Sequence, residues 1–277
     1  METLIPDIVS EVKKVRGVRA IVLGGSRARG THTPSSDIDL GIYYDPARPL
    51  DVAALGEVAT QLDDRHAADL VTPIGGWGPW INGGGWLRIS NQPVDFLYRD
   101  LEKVQTAITG CLNGNVEIHY QPGHPFGFLS SIYVSEVAVC RPLWDPEGVL
   151  AKLKPIVHPY PDPLKKAILS RFAWEINFSI DIAKKSVERA DVAYASGCCF
   201  RSVMCMLQAL FALNREYWLN EKGALNIAES FEIKPADLRN RVNEVFRNLE
   251  AESGSLQTAI ALLMELSLEL EPLIQES

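Results

Sequence analysis

The segment from Val22 to Leu40 constrains the fold of this chain more than any other. An apolar run, Ala20 to Leu23, ends in the tripeptide Gly-Gly-Ser at 24–26, and ten residues later Asp37 and Asp39 flank a single apolar residue. In a strand, residues i and i+2 point to the same face. Both carboxylates therefore project together, while their apolar neighbours face the core. The pattern predicts a strand that ends in a glycine-rich turn and, ten residues after the turn, a second strand that begins at Asp37.

The residues of this segment indicate a particular chemistry. Two carboxylates on one face repel each other unless a cation sits between them, and hard oxygen ligands suit Mg²⁺, which also binds substrate phosphates. Gly24 and Gly25 let backbone N–H groups approach a polyphosphate closely. Ser26 opens a short helix whose N-terminus faces the phosphates. A phosphate loop beside magnesium carboxylates predicts phosphoryl or nucleotidyl transfer.

A third acidic residue, Asp95, lies inside the apolar strand pattern from Pro93 to Tyr98. A buried carboxylate without a partner is costly, so Asp95 needs one. One interpretation is that Asp95 binds a backbone N–H or Arg88. The other is that it joins the magnesium site and accepts the proton of an attacking hydroxyl.

Taken together, these motifs resemble the DNA polymerase β-type nucleotidyltransferase superfamily over roughly residues 18–99. The helical second half is similar in layout to the aminoglycoside and lincosamide nucleotidyltransferases. The resemblance implies Mg²⁺-dependent transfer of AMP from ATP, with two ions, to a hydroxyl of a small aminoglycoside-like molecule, with release of pyrophosphate. It also implies that Ser26 binds the β- and γ-phosphates and that the catalytic, metal-binding carboxylates are Asp37, Asp39 and Asp95.

Further nucleotide contacts are predicted around the glycine turn, from Gly24, Gly25, Ser26, Arg29 and Ser36. Arg29 and its neighbour Arg27 neutralise triphosphate charge or form surface salt bridges. Ser36 binds the nucleotide or shapes the turn that enters the second strand.

Lys222 is the predicted phosphate ligand from the helical half, where the resembling enzymes bring a lysine to the triphosphate. The alternative is that the segment 220–223, which follows an aromatic helix end, is a helix C-cap with a solvated turn. Lys184 and Lys185 compete for the same role.

The glycine-rich segment 74–86 carries Trp77, Trp80 and Trp86. It forms a mobile lid whose tryptophans stack on a substrate ring, or a hairpin whose tryptophans plug the domain edge. We favour the plug for Trp86 and leave both interpretations open for the other two.

The element pattern predicts an α+β fold: a nucleotidyltransferase-type mixed sheet with helices, followed by an all-α bundle. Helix and strand signals alternate up to about Asp100, and the pattern is almost entirely helical from about Glu147. We predict a nucleotidyltransferase domain over 1–146 and a helical substrate- and nucleotide-completing domain over 147–277. Prolines at 155, 159, 161 and 163 punctuate the junction.

The composition of the chain limits the binding partners and the cellular compartment that we expect for it. The net charge of −8 disfavours a long nucleic acid as substrate. Five cysteines without disulfide or zinc spacing suggest reduced thiols in the cytoplasm. Neither a signal peptide nor an uninterrupted apolar run long enough for a membrane span is evident. The expected partners are ATP and a small hydroxylated acceptor, and a homodimer is left open.

A second function class stays open from the sequence: a nucleotidyltransferase of a toxin–antitoxin or regulatory system that modifies a protein or tRNA. A helical RNase toxin is excluded because the chain contains no histidine after Tyr160. A catalytically dead binding module is disfavoured by the three carboxylates.

Overall fold

The computed structural model describes residues 4–276, and the chain divides into two compact units. Each unit takes residues from separate parts of the sequence. The first consists of Met1–Gly110, Ile118–Gly123 and Phe128–Pro159, and the second of Cys111–Glu117, His124–Gly127 and Tyr160–Ser277.

Helices and strands alternate through the first part of the chain. In chain order they are α1 (Leu4–Val12), β1 (Val18–Leu23), α2 (Gly25–Arg29), β2 (Ile38–Tyr44), α3 (Val52–Leu62), β3 (Gly84–Ile89), β4 (Gln92–Asp100), α4 (Leu101–Leu112), β5 (Ile118–His119), β6 (Phe128–Leu129), α5 (Ser131–Val139), β7 (Arg141–Trp144) and α6 (Val149–Val157).

Five of these strands form one mixed sheet in the order β3-β4-β2-β1-β7. The central pair, β2 and β4, is parallel, and the other pairs are antiparallel. Strands β5 and β6 form a separate antiparallel ribbon. With the helices that follow, this sheet confirms the predicted α+β class.

One face of the sheet forms the core of the first unit. Along β2 and β4, alternate residues such as Leu40 and Phe96 are fully buried, as the period of a strand requires. They pack with the apolar sides of α1 and α3, which contribute Ile8 and Leu55. The predicted orientation of Ile38 and Leu40 toward the core is therefore confirmed.

Part of the opposite face is closed by α5. Arg99 of β4 is buried and makes a bidentate ion pair with Glu136, with Nε–Oε2 and Nη2–Oε1 distances of 2.6 and 2.5 Å. Tyr43 of β2, in register with Arg99, is buried as well. The end of this face that lies toward the start of β2 keeps partly exposed side chains, among them Asp39 and Asp95.

The hairpin of β3 and β4 is held by the two aspartates that follow α3. Asp63 is fully buried and accepts hydrogen bonds from the backbone N–H of Arg88 and from Arg65. Asp64 accepts from the N–H groups of Ser90 and Asn91, at the tip of the hairpin. Hydrogen bonds from Arg65 hold the pKa of Asp63 well below its ordinary value.

This depressed pKa predicts a pH-dependent contribution to stability. The carboxylate stabilises the fold at every pH above its unfolded pKa of about 4, and the contribution is lost as pH falls toward the lower folded pKa. We expect Asp63→Asn to lower the free energy of unfolding at neutral pH by roughly 2 kcal/mol. The loss should shrink below about pH 4.

Urea denaturation between pH 7 and pH 3 measures this effect, with Asp69→Asn as the control at an exposed position in the same loop. An equal loss for Asp63→Asn at both ends of the pH range would show that packing, not charge, accounts for the role of Asp63.

Helices make up most of the second unit. They are α7 (Asp162–Lys184), a 3₁₀ turn (Val187–Arg189), α8 (Val192–Leu213), α9 (Ala224–Ala228), α10 (Leu238–Arg247) and α11 (Ser253–Gln275). Asp191 caps α8 by accepting a hydrogen bond from the N–H of Tyr194, as its position in the sequence predicts.

A buried ionic contact joins α7 and α8. Glu175 is buried and pairs with Arg201 through an ion pair, with Arg171 one turn earlier at 3.8 Å. The Arg201 guanidinium also lies 5.1 Å from the ring centroid of Phe126. The segment His124–Gly127, which precedes these helices in sequence, therefore packs against them as part of the second unit.

Helix α8 is the one described helix that is long and apolar enough to cross a membrane by length and composition alone. It contains Arg201, which is why no uninterrupted apolar run is evident in the sequence. In the structure 72% of its most apolar window is buried, as in the core helix of a folded domain. Length and composition are therefore weak evidence for a membrane span here.

Candidate active site

The parallel pairing of β2 and β4 brings two of the three predicted carboxylates side by side. Asp39 and Asp95 are in register, on strands that lie about 4.8 Å apart. Both are partly exposed, whereas their strand neighbours Ile38, Leu40 and Val94 are buried on the other side. We call the side that carries Asp39 and Asp95 the carboxylate face.

The glycine turn after β1 lies directly against Asp39. The N–H of Gly24 donates to the carbonyl oxygen of Asp39 at 2.8 Å. Gly25 has a φ of +57°, and a Cβ at this position would lie 1.9 Å from Oδ2 of Asp39. Only glycine fits so close to the carboxylate with this backbone conformation. The turn and the strand aspartate, separated in sequence, thus form one structural unit.

Asp37 lies at the entrance to β2, in a loop that Arg27 holds in place. The buried guanidinium of Arg27 donates from Nε to the carbonyl oxygen of Asp37 at 2.9 Å and from Nη2 to that of Ser36 at 2.6 Å. Arg27 is therefore a buried residue and not a surface one. Its hydrogen bonds fix the backbone at Ser36 and Asp37, where the chain enters β2.

The other predicted nucleotide ligands lie on the same short stretch of chain. Ser26 and Arg29 are partly exposed residues of α2. Ser36 accepts a hydrogen bond at Oγ from the N–H of Thr33 at 2.9 Å. This contact is the one expected if Ser36 shapes the turn, and the nucleotide roles of all three residues stay predictions.

A divalent metal fits the chemistry of this donor set. Asp39 and Asp95 offer hard carboxylate oxygens in register, and Gly25 leaves space that a Cβ would fill. Within residues 4–276, no group of three or more His, Cys, Asp or Glu could hold a metal ion by itself. Mg²⁺ is ordinarily bound through one or two carboxylates together with substrate phosphates and water. Convergence of Asp37, Asp39 and Asp95 on one ion stays a prediction.

Two tryptophans extend the carboxylate face away from the glycine turn. Trp86 of β3 is the cross-strand partner of Asp95 and is 63% exposed. The ring of Trp77 stacks on it, with centroids 4.5 Å apart and planes inclined by 24°. Trp77 fits there because Gly84 has no side chain, since a Cβ would lie 2.8 Å from the Trp77 ring. The prediction that Trp86 plugs the domain edge is therefore wrong, because its side chain is largely exposed.

Trp80 has the structural role that we expected for Trp86. Its ring stacks on His119 at 4.2 Å and on Phe128 at 5.6 Å, and its carbonyl oxygen accepts a hydrogen bond from Tyr133. His119 therefore has a structural role as a packing partner of Trp80. Of the three tryptophans, Trp80 therefore anchors the segment and leaves Trp77 and Trp86 beside the carboxylates.

Lys222, the predicted ligand from the helical half, belongs to the second unit. It is exposed and lies in a turn that precedes α9, not at the C-cap of a preceding helix, because α8 ends at Leu213. Glu221 anchors the turn by accepting hydrogen bonds from the N–H of Phe126 at 2.9 Å and pairing with His124 at 3.1 Å.

Burial raises the pKa of the Glu221 carboxyl, but the hydrogen bonds from His124 and the backbone lower it further, so that it lies below its ordinary value. Glu221 therefore stays ionised in the buried pair. The role of Lys222 toward phosphate stays a prediction.

Comparison with known proteins gives two family matches on separate parts of the chain. A nucleotidyltransferase domain matches residues 5–77, and a domain of unknown function (DUF4037) matches residues 130–222. No curated protein matches the chain. Among solved structures, a nucleotidyltransferase-like protein from Exiguobacterium sibiricum 255-15 aligns at 14% identity and a TM-score of 0.45, over all of this chain and 75% of that one.

The nucleotidyltransferase match includes the glycine turn and both Asp37 and Asp39, and the sheet adds Asp95 in register. Residues 5–77 of this chain therefore match a nucleotidyltransferase domain, which agrees with the resemblance of its motifs to the DNA polymerase β-type superfamily.

Proposed function

We propose that this nucleotidyltransferase transfers AMP from ATP to a hydroxyl group of a small molecule and releases pyrophosphate. The observation that supports it most is the contact between the Gly24–Gly25 turn and Asp39, beside Asp95 in register. This arrangement puts a backbone surface suited to phosphate next to two carboxylates on one open face. We further propose that the protein works in the cytoplasm.

In this proposal, separate residues bind the phosphates, hold the metal and accept the proton. Backbone N–H groups of the glycine turn and the hydroxyl of Ser26 bind the β- and γ-phosphates, and Arg29 adds positive charge. Asp37 and Asp39 hold Mg²⁺, which supplies charge neutralisation and Lewis-acid polarisation of the phosphates when bound. Asp95 accepts the proton of the attacking hydroxyl.

Lys222 is the proposed source of further positive charge on the β- and γ-phosphates. Its turn is anchored by Glu221, which leaves the lysine side chain exposed. An ammonium group at the end of a long flexible side chain acts as a point charge on phosphate.

The charge of the protein supports a small acceptor over a polymeric one. A net charge of −8 opposes the approach of a polyanion such as tRNA, since affinity for nucleic acid depends on neutralising its phosphates with basic residues. A neutral or cationic molecule meets no such barrier.

The direct test measures pyrophosphate release by the purified full chain with Mg²⁺ and ATP. We expect release that depends on a small hydroxylated acceptor from a panel of sugars, cyclitols and linear polyols, and that EDTA abolishes. Parallel reactions with GTP, CTP and UTP test the nucleotide. Release only with tRNA or a protein would favour the regulatory alternative, and no release with any nucleotide would contradict the proposal.

A further inference from the structure

We propose that the outward side of helices α7 and α11 is the interface of a homodimer, so that a second copy of this chain covers it. The proposal concerns the helical unit alone and does not depend on nucleotidyl transfer.

Four large apolar side chains are exposed on these two helices. Trp174 and Phe178, one turn apart on α7, are 56% and 52% exposed, and their rings contact each other with centroids 5.5 Å apart. Met264 and Leu268, one turn apart on α11, are exposed as well. We call these four residues the apolar face. Exposed apolar groups in such a cluster are typical of protein–protein interfaces.

An interhelical hydrogen bond shows that the four side chains share one side of the helix pair. Ser267 of α11 donates to Asn177 of α7 at 2.6 Å. With 3.6 residues per turn, the apolar-face residues of each helix lie to one side of this contact, and the buried Ile180 and Leu270 lie to the other. The core is therefore on one side of the helix pair and the apolar face is on the opposite, outward side.

The area of this side is that of a stable dimer interface. Helices α7 and α11 have 23 residues each. Each helix is therefore about 34 Å long, and two adjacent helices with their side chains are about 20 Å wide. The resulting area is roughly 700 Å² in projection, close to the about 800 Å² that each partner buries in a stable interface.

The two edges of the apolar face carry opposite charge. On the α7 side, Arg171 and Arg201 share the single carboxylate of Glu175, which leaves a net positive charge beside Trp174. On the other side, the exposed Glu271 lies one turn after the apolar face, in a helix that contains no lysine or arginine. A partner of uniform charge would therefore complement only one edge.

A second copy of the chain complements both edges. Helix α11 is antiparallel to α7, because Ser253 at its start donates a hydrogen bond to the carbonyl oxygen of Val187, beyond the end of α7. Arg171 and Glu271 therefore lie at similar levels, about 9 and 6 Å along the helices from the contact between Asn177 and Ser267. A two-fold axis parallel to the helices brings the negative edge of each copy onto the positive edge of the other. Symmetric dimers use the same patch of both subunits in this way.

Sedimentation velocity of the full chain across the micromolar range tests the proposal. We expect the wild type to be a dimer. Phe178→Glu should raise the dimer Kd at least about 100-fold, because it places two like charges in an apolar contact. Trp174→Ala should raise it about 30-fold, and Glu271→Lys about tenfold through repulsion by Arg171.

Ile156→Glu is the matched control, because Ile156 is an apolar residue of α6 that is 50% exposed but belongs to the first unit. It should leave the dimer Kd unchanged. Circular dichroism and thermal unfolding report whether each variant is folded, and Trp174→Ala and Glu271→Lys keep the test decisive if Phe178→Glu unfolds. A monomeric wild type, which would assign the face to a different partner, would overturn the proposal. So would a dimer that persists in all three variants or that Ile156→Glu weakens equally.

Discussion

Asp39→Asn should lower turnover on the order of 10³-fold while the protein stays folded, because an amide cannot replace the negative charge that the proposed Mg²⁺ site needs from a carboxylate. Asp37→Asn should behave in the same way. Asp95→Asn should lower kcat on the order of 10² to 10⁴-fold with little change in nucleotide affinity, as for the loss of a general base. Pyrophosphate release gives kcat, and thermal unfolding reports the fold.

Asp45→Asn is the control for these variants, since Asp45 directly follows β2 and caps the backbone N–H of Ala47 instead of lying beside Asp95. It should keep wild-type turnover. Near-wild-type turnover in Asp37→Asn or Asp39→Asn would refute the metal assignment. An Asp95→Asn variant that loses ATP binding but keeps kcat would give Asp95 a structural role.

Gly25→Ala should also inactivate the enzyme, although it changes no charged group. Its methyl group would lie 1.9 Å from Oδ2 of Asp39, so the carboxylate or the turn has to move. A displacement of about 1 Å at a catalytic site costs on the order of 10²-fold in rate. Because alanine is strained at the positive φ of +57°, the substitution also lowers the free energy of unfolding by about 1 kcal/mol.

Gly30 provides a matched control at the other end of α2. Its φ is +82°, so alanine meets a similar backbone penalty, but nothing lies within 4 Å of the added methyl group. Both variants should lose about 1 kcal/mol of stability by urea denaturation, and only Gly25→Ala should lose activity. Similar activity in the two variants would mean that the contact with Asp39 does not position the carboxylate.

Much of the sheet is predictable because apolar and polar residues alternate with the period of a strand. This alternation identifies β2 and β4, and it places Asp39 and Asp95 opposite the core. The helix caps at Asp51 and Asp191 are predictable as well, because a short acidic side chain before an apolar helix satisfies a free N–H group. The strands and the helix caps can be predicted because each depends on residues that are close together in the sequence.

Features that depend on distant partners are not predictable in this way. Arg27 has the surroundings of a phosphate ligand in the sequence, yet its guanidinium is buried against the carbonyl groups of Ser36 and Asp37. Trp86 belongs to a glycine-rich run that suggests a plug, but strand register places it outward. The available sequence signal was the charged Arg88, which lies two residues after Trp86 and therefore on the same face of the strand.

The two short segments that belong to the helical unit have a consequence for how this protein can be divided. Because Cys111–Glu117 and His124–Gly127 are contributed from within the first part of the chain, the backbone passes between the units five times. A gene fragment that starts at Tyr160 lacks Phe126, which packs on Phe172, and His124, which pairs with Glu221. The second half of the gene alone therefore does not encode the whole helical unit.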